Sequence, residues 1–120
     1  MELCDLSACE LADLIRKGEV SAVEALESAL KRIEQVEGRS GSLDAGEITP
    51  EDEKKVHAFI TQTEDLARQQ AEAVDNQLAE GVIPGPLAGV PYTAKDIFNV
   101  KGTLSTAGSK ILSNFKSPYT

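Results

Sequence analysis

Two stretches of the chain are spelled alike, and they dictate most of its fold. "SACE" puts Ser7 three residues ahead of Glu10, and "SAVE" puts Ser21 three ahead of Glu24. In each, the hydroxyl can accept a backbone N–H of the first helical turn while the carboxylate reaches back to the serine N–H, the reciprocal pairing that starts helices. The spacing predicts a first helix over about Ala8 to Lys17, stopped at Gly18, with Leu11, Leu14 and Ile15 facing inward. A second follows over about Ala22 to Val36, with Val23, Leu26, Leu30 and Ile33 on one stripe and Gly38 at its end. A third, "TEDLARQQAEAVDNQLAEG", is capped by Thr63, places Glu64 and Asp65 at the positive end of the helix dipole and stops at Gly81. Its inward stripe is Leu66, Ala67, Ala71, Val74 and Leu78.

Between and after these helices the pattern changes. "GRSGSLDAGEI" (38–48) is polar and glycine-rich, a surface loop. "TPEDEKK" opens a short helix, with Thr49 as cap and Pro50 at the position whose N–H has no partner anyway. "VHAFIT" (56–61) reads as a short strand, and so does "GVPYTAKDIFNV", with Pro91 near its start. "KGTLSTAGSKIL" is a turn followed by one helical turn over Ser109 to Leu112. The order helix, helix, strand, helix, strand predicts an α/β layer architecture, mostly helical with two or more short strands.

The chain's 120 residues suffice for one small domain, and with only 4% aromatic residues its core must be aliphatic and alanine-rich. A net charge of −8 repels phosphate, which argues against direct contact with nucleic acid. Cys4 and Cys9 fit no zinc pattern and are expected to be reduced thiols, and the lone His57 is expected to be structural. The acidic start carries no apolar leader and no run approaches the ~20 apolar residues of a membrane span, so the cytoplasm or an organelle interior is the expected location. Met1 reads as a true start and Thr120 as an interruption, so the chain is expected to be the N-terminal fragment of a single longer domain.

The most informative residue is Lys95. An ammonium inside a sheet must be paired, solvated at a strand end, or neutralised. Burial lowers a lysine's pKa, and a neutral amine can serve as a general base that activates a serine hydroxyl without histidine. The residues alone leave two other readings open: Lys95 paired with Asp96, or Lys95 at an exposed strand end. A direct pair is awkward because adjacent strand residues point to opposite faces.

"GPLAGVPYTAKDIFNVKGTLSTAGSKIL" resembles the lysine-bearing segment of the amidase signature family, written P-L-x-G-V-P-x-x-x-K-D and followed by a T-x-x-S run. Upstream, "HAFIT" and the spacing of Ala67, Gln70, Ala71, Val74 and Asp75 agree with it. Within the family the chain is most similar to the glutaminase branch that acts for glutamyl-tRNA(Gln). The resemblance implies the N-terminal part of the family's fold, a mixed sheet core covered by helices. It implies Lys95 as the base of a Ser–cis-Ser–Lys set that hydrolyses glutamine. The ammonia would pass to a partner that amidates glutamate on tRNA. It further implies B and C partner subunits, tRNA met only through a partner, and ATP and magnesium used by the partner, with no cofactor or metal on this chain.

The two serines of that set belong to a segment of G-G-S-S-G-G-S type, which this sequence lacks. Ser105, Ser109, Ser113 and Ser117 stand in other contexts and none is assigned as nucleophile. The 120 residues alone are therefore expected to be inactive. The alternatives are a family member that hydrolyses another carboxamide, or a small acidic interaction module in which Lys95 is incidental.

Overall fold

A computed structural model of the chain describes residues 1–38 and 46–120. It contains three α-helices, α1 (Ala8–Arg16), α2 (Ala22–Glu37) and α3 (Glu64–Ala79), and 3₁₀ turns at Leu3–Asp5, Asp52–Lys54 and Lys110–Leu112. All three α-helices lie where the capping and stripe patterns put them, and Gly18, Gly38 and Gly81 after them take φ of +72°, +84° and +78°. Most of the loop expected over 38–48 falls outside the described residues. The chain divides into two compact units, Met1–Glu34 with Glu64–Tyr92, and Gln35–Thr63 with Thr93–Thr120.

In the first unit both capping boxes form. Glu10 N–H donates to Ser7 Oγ at 3.3 Å while Ser7 N–H donates to the Glu10 carboxylate at 2.9 Å. Ser21 and Glu24 repeat the exchange at 2.9 and 3.0 Å. Bonds to the serine hydroxyl and N–H hold the Glu10 carboxyl below the usual glutamate range. The Ser21 N–H, then its hydroxyl, do the same for Glu24. The start of α2 has a second acceptor: Asp75 on α3 takes the N–H groups of Ala22 and Val23 at 2.6 and 3.1 Å. Four orphan donors open every helix, and a carboxylate satisfies them with charge of the right sign.

The core of this unit is small and aliphatic. Leu11, Ile15 and Ala25 are buried together with Leu3, Leu6, Leu78 and Val90 packed around them. Ala22, Leu26 and Ala71 form a second cluster bordered by Val23, Leu30, Ala67 and Val74. Alanine at the closest points lets backbones approach, and Ile15 at 1% exposure contributes about 2–3 kcal/mol through the water it excludes. Ion pairs such as Arg68 with Glu27 and Glu64 lie at the surface and contribute little.

In the second unit the expected strands are absent among the described residues. "VHAFIT" does not pair as a strand: its donors go to the end of α2 rather than to a neighbouring ladder. Val56 N–H bonds Val36 O at 2.9 Å, and the buried Glu37 carboxylate accepts Ala58 and Phe59 N–H at 2.9 and 2.6 Å. Lys55 Nζ caps the Gln35 carbonyl at 2.7 Å, a cation at the negative end of the dipole. The lysine-bearing segment also forms no strand. Pro91 has no N–H to give, and Phe98 N–H turns back to Lys95 O at 2.9 Å. One antiparallel bridge, Leu104 with Lys116, is the sole strand-type pairing among the described residues. The expectation of two or more short strands is thus corrected to irregular segments joining the helices among the described residues. Period-2 composition makes a strand only where a partner takes the ladder bonds.

Glu37 at 2% exposure is the tie between α2's last turn and residues 58–59. Glu37→Ala is expected to lower the stability of this unit by about 2–3 kcal/mol, since two N–H groups lose a charged acceptor. Glu37→Gln should recover roughly half, because one carbonyl acceptor remains. Urea unfolding and hydrogen exchange at Ala58 and Phe59 read the effect.

Candidate functional site

The site grows from the residues that follow Tyr92. Lys95 is exposed and begins a turn over residues 95–98. This differs from the dry strand position expected for it. Its amine makes no hydrogen bond or ion pair among the described residues. The Lys95–Asp96 pair does not form, because Asp96 is engaged elsewhere.

Asp96 binds residues 106–107 through both its backbone and its side chain. Its carboxylate accepts the Thr106 N–H at 2.9 Å and the Thr106 hydroxyl, and its carbonyl accepts the Ala107 N–H at 2.9 Å. Thr106 is 1% exposed, and its hydroxyl oxygen in turn accepts the Gly108 N–H at 3.2 Å. The hydroxyl is thereby a donor to the carboxylate and an acceptor from the backbone within one turn. Ala107 and Gly108 carry φ of +49° and +70°. A non-glycine residue there costs about 1 kcal/mol, which the surrounding bonds must hold. Downstream, Ser105 N–H bonds Phe115 O at 3.0 Å, Ser117 N–H bonds Thr103 O at 3.0 Å, and Gly102 N–H bonds Ser117 O at 2.8 Å.

Ser105 and Ser117 are buried and donate their hydroxyls to the carbonyls of Phe98 and Tyr119. Both hydroxyls hold backbone. His57 sits at φ +52° with Nε2 2.7 Å from Asp52 O, which fixes its proton on Nε2. That is a structural bond, as the sequence suggested.

A cavity of about 190 Å³ opens beside the turn, lined by Asp96, Ile97, Asn99, Ser105 and Phe115 among others, but not by Lys95. In this unit large apolar side chains remain open to solvent: Ile97, Phe98, Ile111 and Tyr119 are 59% to 94% exposed. The bond between Thr106 and Asp96 is one that sequence reading missed. The signal was an Asp ten residues ahead of a Thr-Ala-Gly turn, too long-range for local patterning. Among the described residues no three His, Cys, Asp or Glu side chains converge as metal ligands, and no helix is long and apolar enough to cross a membrane.

Comparison with known proteins closes on the same segment. The family profile described as Amidase matches residues 50–120. The chain is 44% identical over 98% of its length to the A subunit of glutamyl-tRNA(Gln) amidotransferase of Thermobifida fusca (strain YX), covering 20% of that protein. It is 44% identical over 99% of its length to the corresponding A subunit of Geotalea daltonii (strain DSM 22248 / JCM 15807 / FRC-32), covering 21%. It spans about a fifth of the length of these curated relatives. One of the solved chains that it matches has a TM-score of 0.77 and 30% identity, over 95% of this chain and 22% of that one. That chain belongs to an inhibitor-bound vestigial protein complex connected with the evolutionary origins of an s-triazine catabolic enzyme.

Proposed function

The chain belongs to the amidase family, and from that premise we propose that it contributes the lysine-bearing segment of a glutamine amidohydrolase, with Lys95 as proton acceptor. The observation that carries this reading is Lys95, whose side chain has no hydrogen bond or ion pair among the described residues, on a turn fixed by Asp96 within the stretch that matches the family. The names of the relatives favour the amidotransferase role over other carboxamide hydrolases.

The chemistry would run as acyl transfer. A serine hydroxyl from the remainder of the domain attacks the carboxamide carbon of glutamine. Its proton moves through a bridging serine hydroxyl to the neutral Lys95 amine. Collapse of the tetrahedral adduct breaks the C–N bond, and the departing nitrogen takes the proton and leaves as ammonia. Water then attacks the acyl-enzyme ester and releases glutamate. The ammonia would pass to B and C partner subunits, where ATP and magnesium would serve amidation of glutamate held on tRNA. No step on this chain runs through either group. A lysine becomes a base only when stripped of water, and in this proposal the dry surroundings come from the remaining four fifths of the protein.

The test is a chimera in which this chain replaces the matched fifth of the Thermobifida fusca relative, assayed for ammonia release from glutamine together with its partner subunits. A chimera that releases ammonia in a Lys95-dependent way supports the reading. A chimera that melts cooperatively and releases none overturns it, as does one indifferent to Lys95.

A further inference from the structure

We propose that Thr106 and Asp96 act as positioning residues for Lys95, a role that rests on the reading of Lys95 as the proton acceptor. The turn over residues 95–98 has no strand partner among the described residues, so the backbone that carries the amine must be placed by other bonds. Three of these converge on Asp96: the Thr106 N–H and hydroxyl on its carboxylate, and the Ala107 N–H on its carbonyl. A fourth joins the far side of the turn, where Ser105 Oγ donates to Phe98 O at 3.4 Å. Two of the residues on the other end of these bonds are buried, Thr106 at 1% and Ser105 at 6% exposure, while Ala107 is exposed. Lys95 itself stays out of the network. The arrangement fixes the Cα of Lys95 while leaving its amine unoccupied, which a proton-transferring group needs. The left-handed Ala107, held between the Asp96 carbonyl and the Gly108 turn, shows that this segment tolerates strain to keep its shape.

The carboxylate and the hydroxyl do different work in this arrangement. Asp96 supplies the acceptors, while Thr106 supplies a donor whose direction is fixed because its oxygen also accepts the Gly108 N–H. Removing the hydroxyl alone leaves the Thr106 N–H bond in place and frees the carboxylate to swing. Lys95 would then sample positions on the order of an ångström from the productive one, and a displacement of that size costs on the order of 10²-fold in rate.

The experiment uses the same chimera. Thr106→Val is expected to lower kcat for ammonia release by roughly 10- to 100-fold with KM for glutamine within about two-fold, because substrate binding is untouched. Thr106→Ser keeps the hydroxyl and is expected to stay within about three-fold of the parent. Asp96→Ala should resemble Thr106→Val or exceed it. If Thr106→Val does not fold, Asp96→Asn, which retains one oxygen acceptor but loses the charge, takes its place with the same expected split. Equal kcat in folded Thr106→Val or Asp96→Asn overturns the proposal, and so does a Thr106→Ser variant as slow as Thr106→Val. Loss of activity in the clamp variants with Lys95→Ala unaffected would instead sink the reading of Lys95. The two failures are therefore told apart by the Lys95 variant.

Discussion

Lys95→Ala in the chimera is expected to release ammonia from glutamine about 10³-fold more slowly than the parent, the middle of the range for a lost general base. That is about 4 kcal/mol of barrier, by far the largest effect any single side chain of this chain should have. Two features lead to this expectation. The amine is the one basic group on the turn that the Asp96 network fixes, and it carries no hydrogen bond or ion pair among the described residues. The serine pathway also needs an acceptor that can pick up a proton and return it to the leaving nitrogen within one turnover. Lys95→Arg separates proton transfer from mere charge. A guanidinium keeps the charge but does not deprotonate in proteins, so it should be as slow as alanine. Melting curves of the parent and both variants show that a slow variant is still folded. A rate within tenfold of the parent for either variant removes Lys95 from the mechanism.

Gly89→Ala is the largest expected effect on stability, about 3 kcal/mol, the sum of a backbone and a packing cost. The backbone at Gly89 has φ +83°, where a Cβ strains against the following carbonyl. The space is closed as well. A Cβ would lie 2.9 Å from that of Ala22 and 3.1 and 3.2 Å from two carbons of Ile15. Ala22 and Ile15 are 0% and 1% exposed, with no room to yield. Both belong to the starts and seams of the first unit, so the strain would spread to the cap that Asp75 provides at Ala22. Thermal unfolding should drop by roughly 10 °C or more for a chain of this size. Unchanged melting would mean that this glycine is spacious rather than cramped.

The helices were legible because their instructions are local. Ser7 with Glu10 and Ser21 with Glu24 sit within one turn of each other, and Leu11, Ile15 and Leu26 fall on stripes that any window of the sequence shows. The fate of the expected strands is not local, and composition misleads there. Val56, Ala58 and Phe59 look like strand residues, yet a carbonyl and a carboxylate some twenty residues upstream take their N–H groups. Asp75 likewise reads as one more polar residue on α3, and only the packed unit shows it capping α2. At the site, Lys95 was singled out through resemblance, whereas the bonds of Asp96 to residues 106 and 107 are too long-range for local patterning. The exposure of Lys95 was not, since dryness depends on what covers a side chain rather than on its neighbours in sequence.

The duplicated serine–glutamate starts have a consequence under acidification. Each glutamate is held below its ordinary range by the serine it faces, so the support it lends is complete above the unfolded value. That support is withdrawn as protons fill the lowered folded value. Both helix starts lose a glutamate acceptor in this way, while α2 has the Asp75 carboxylate as a second acceptor. Acidification through the range below the ordinary glutamate value should therefore fray these helix starts, visible as a loss of helical ellipticity.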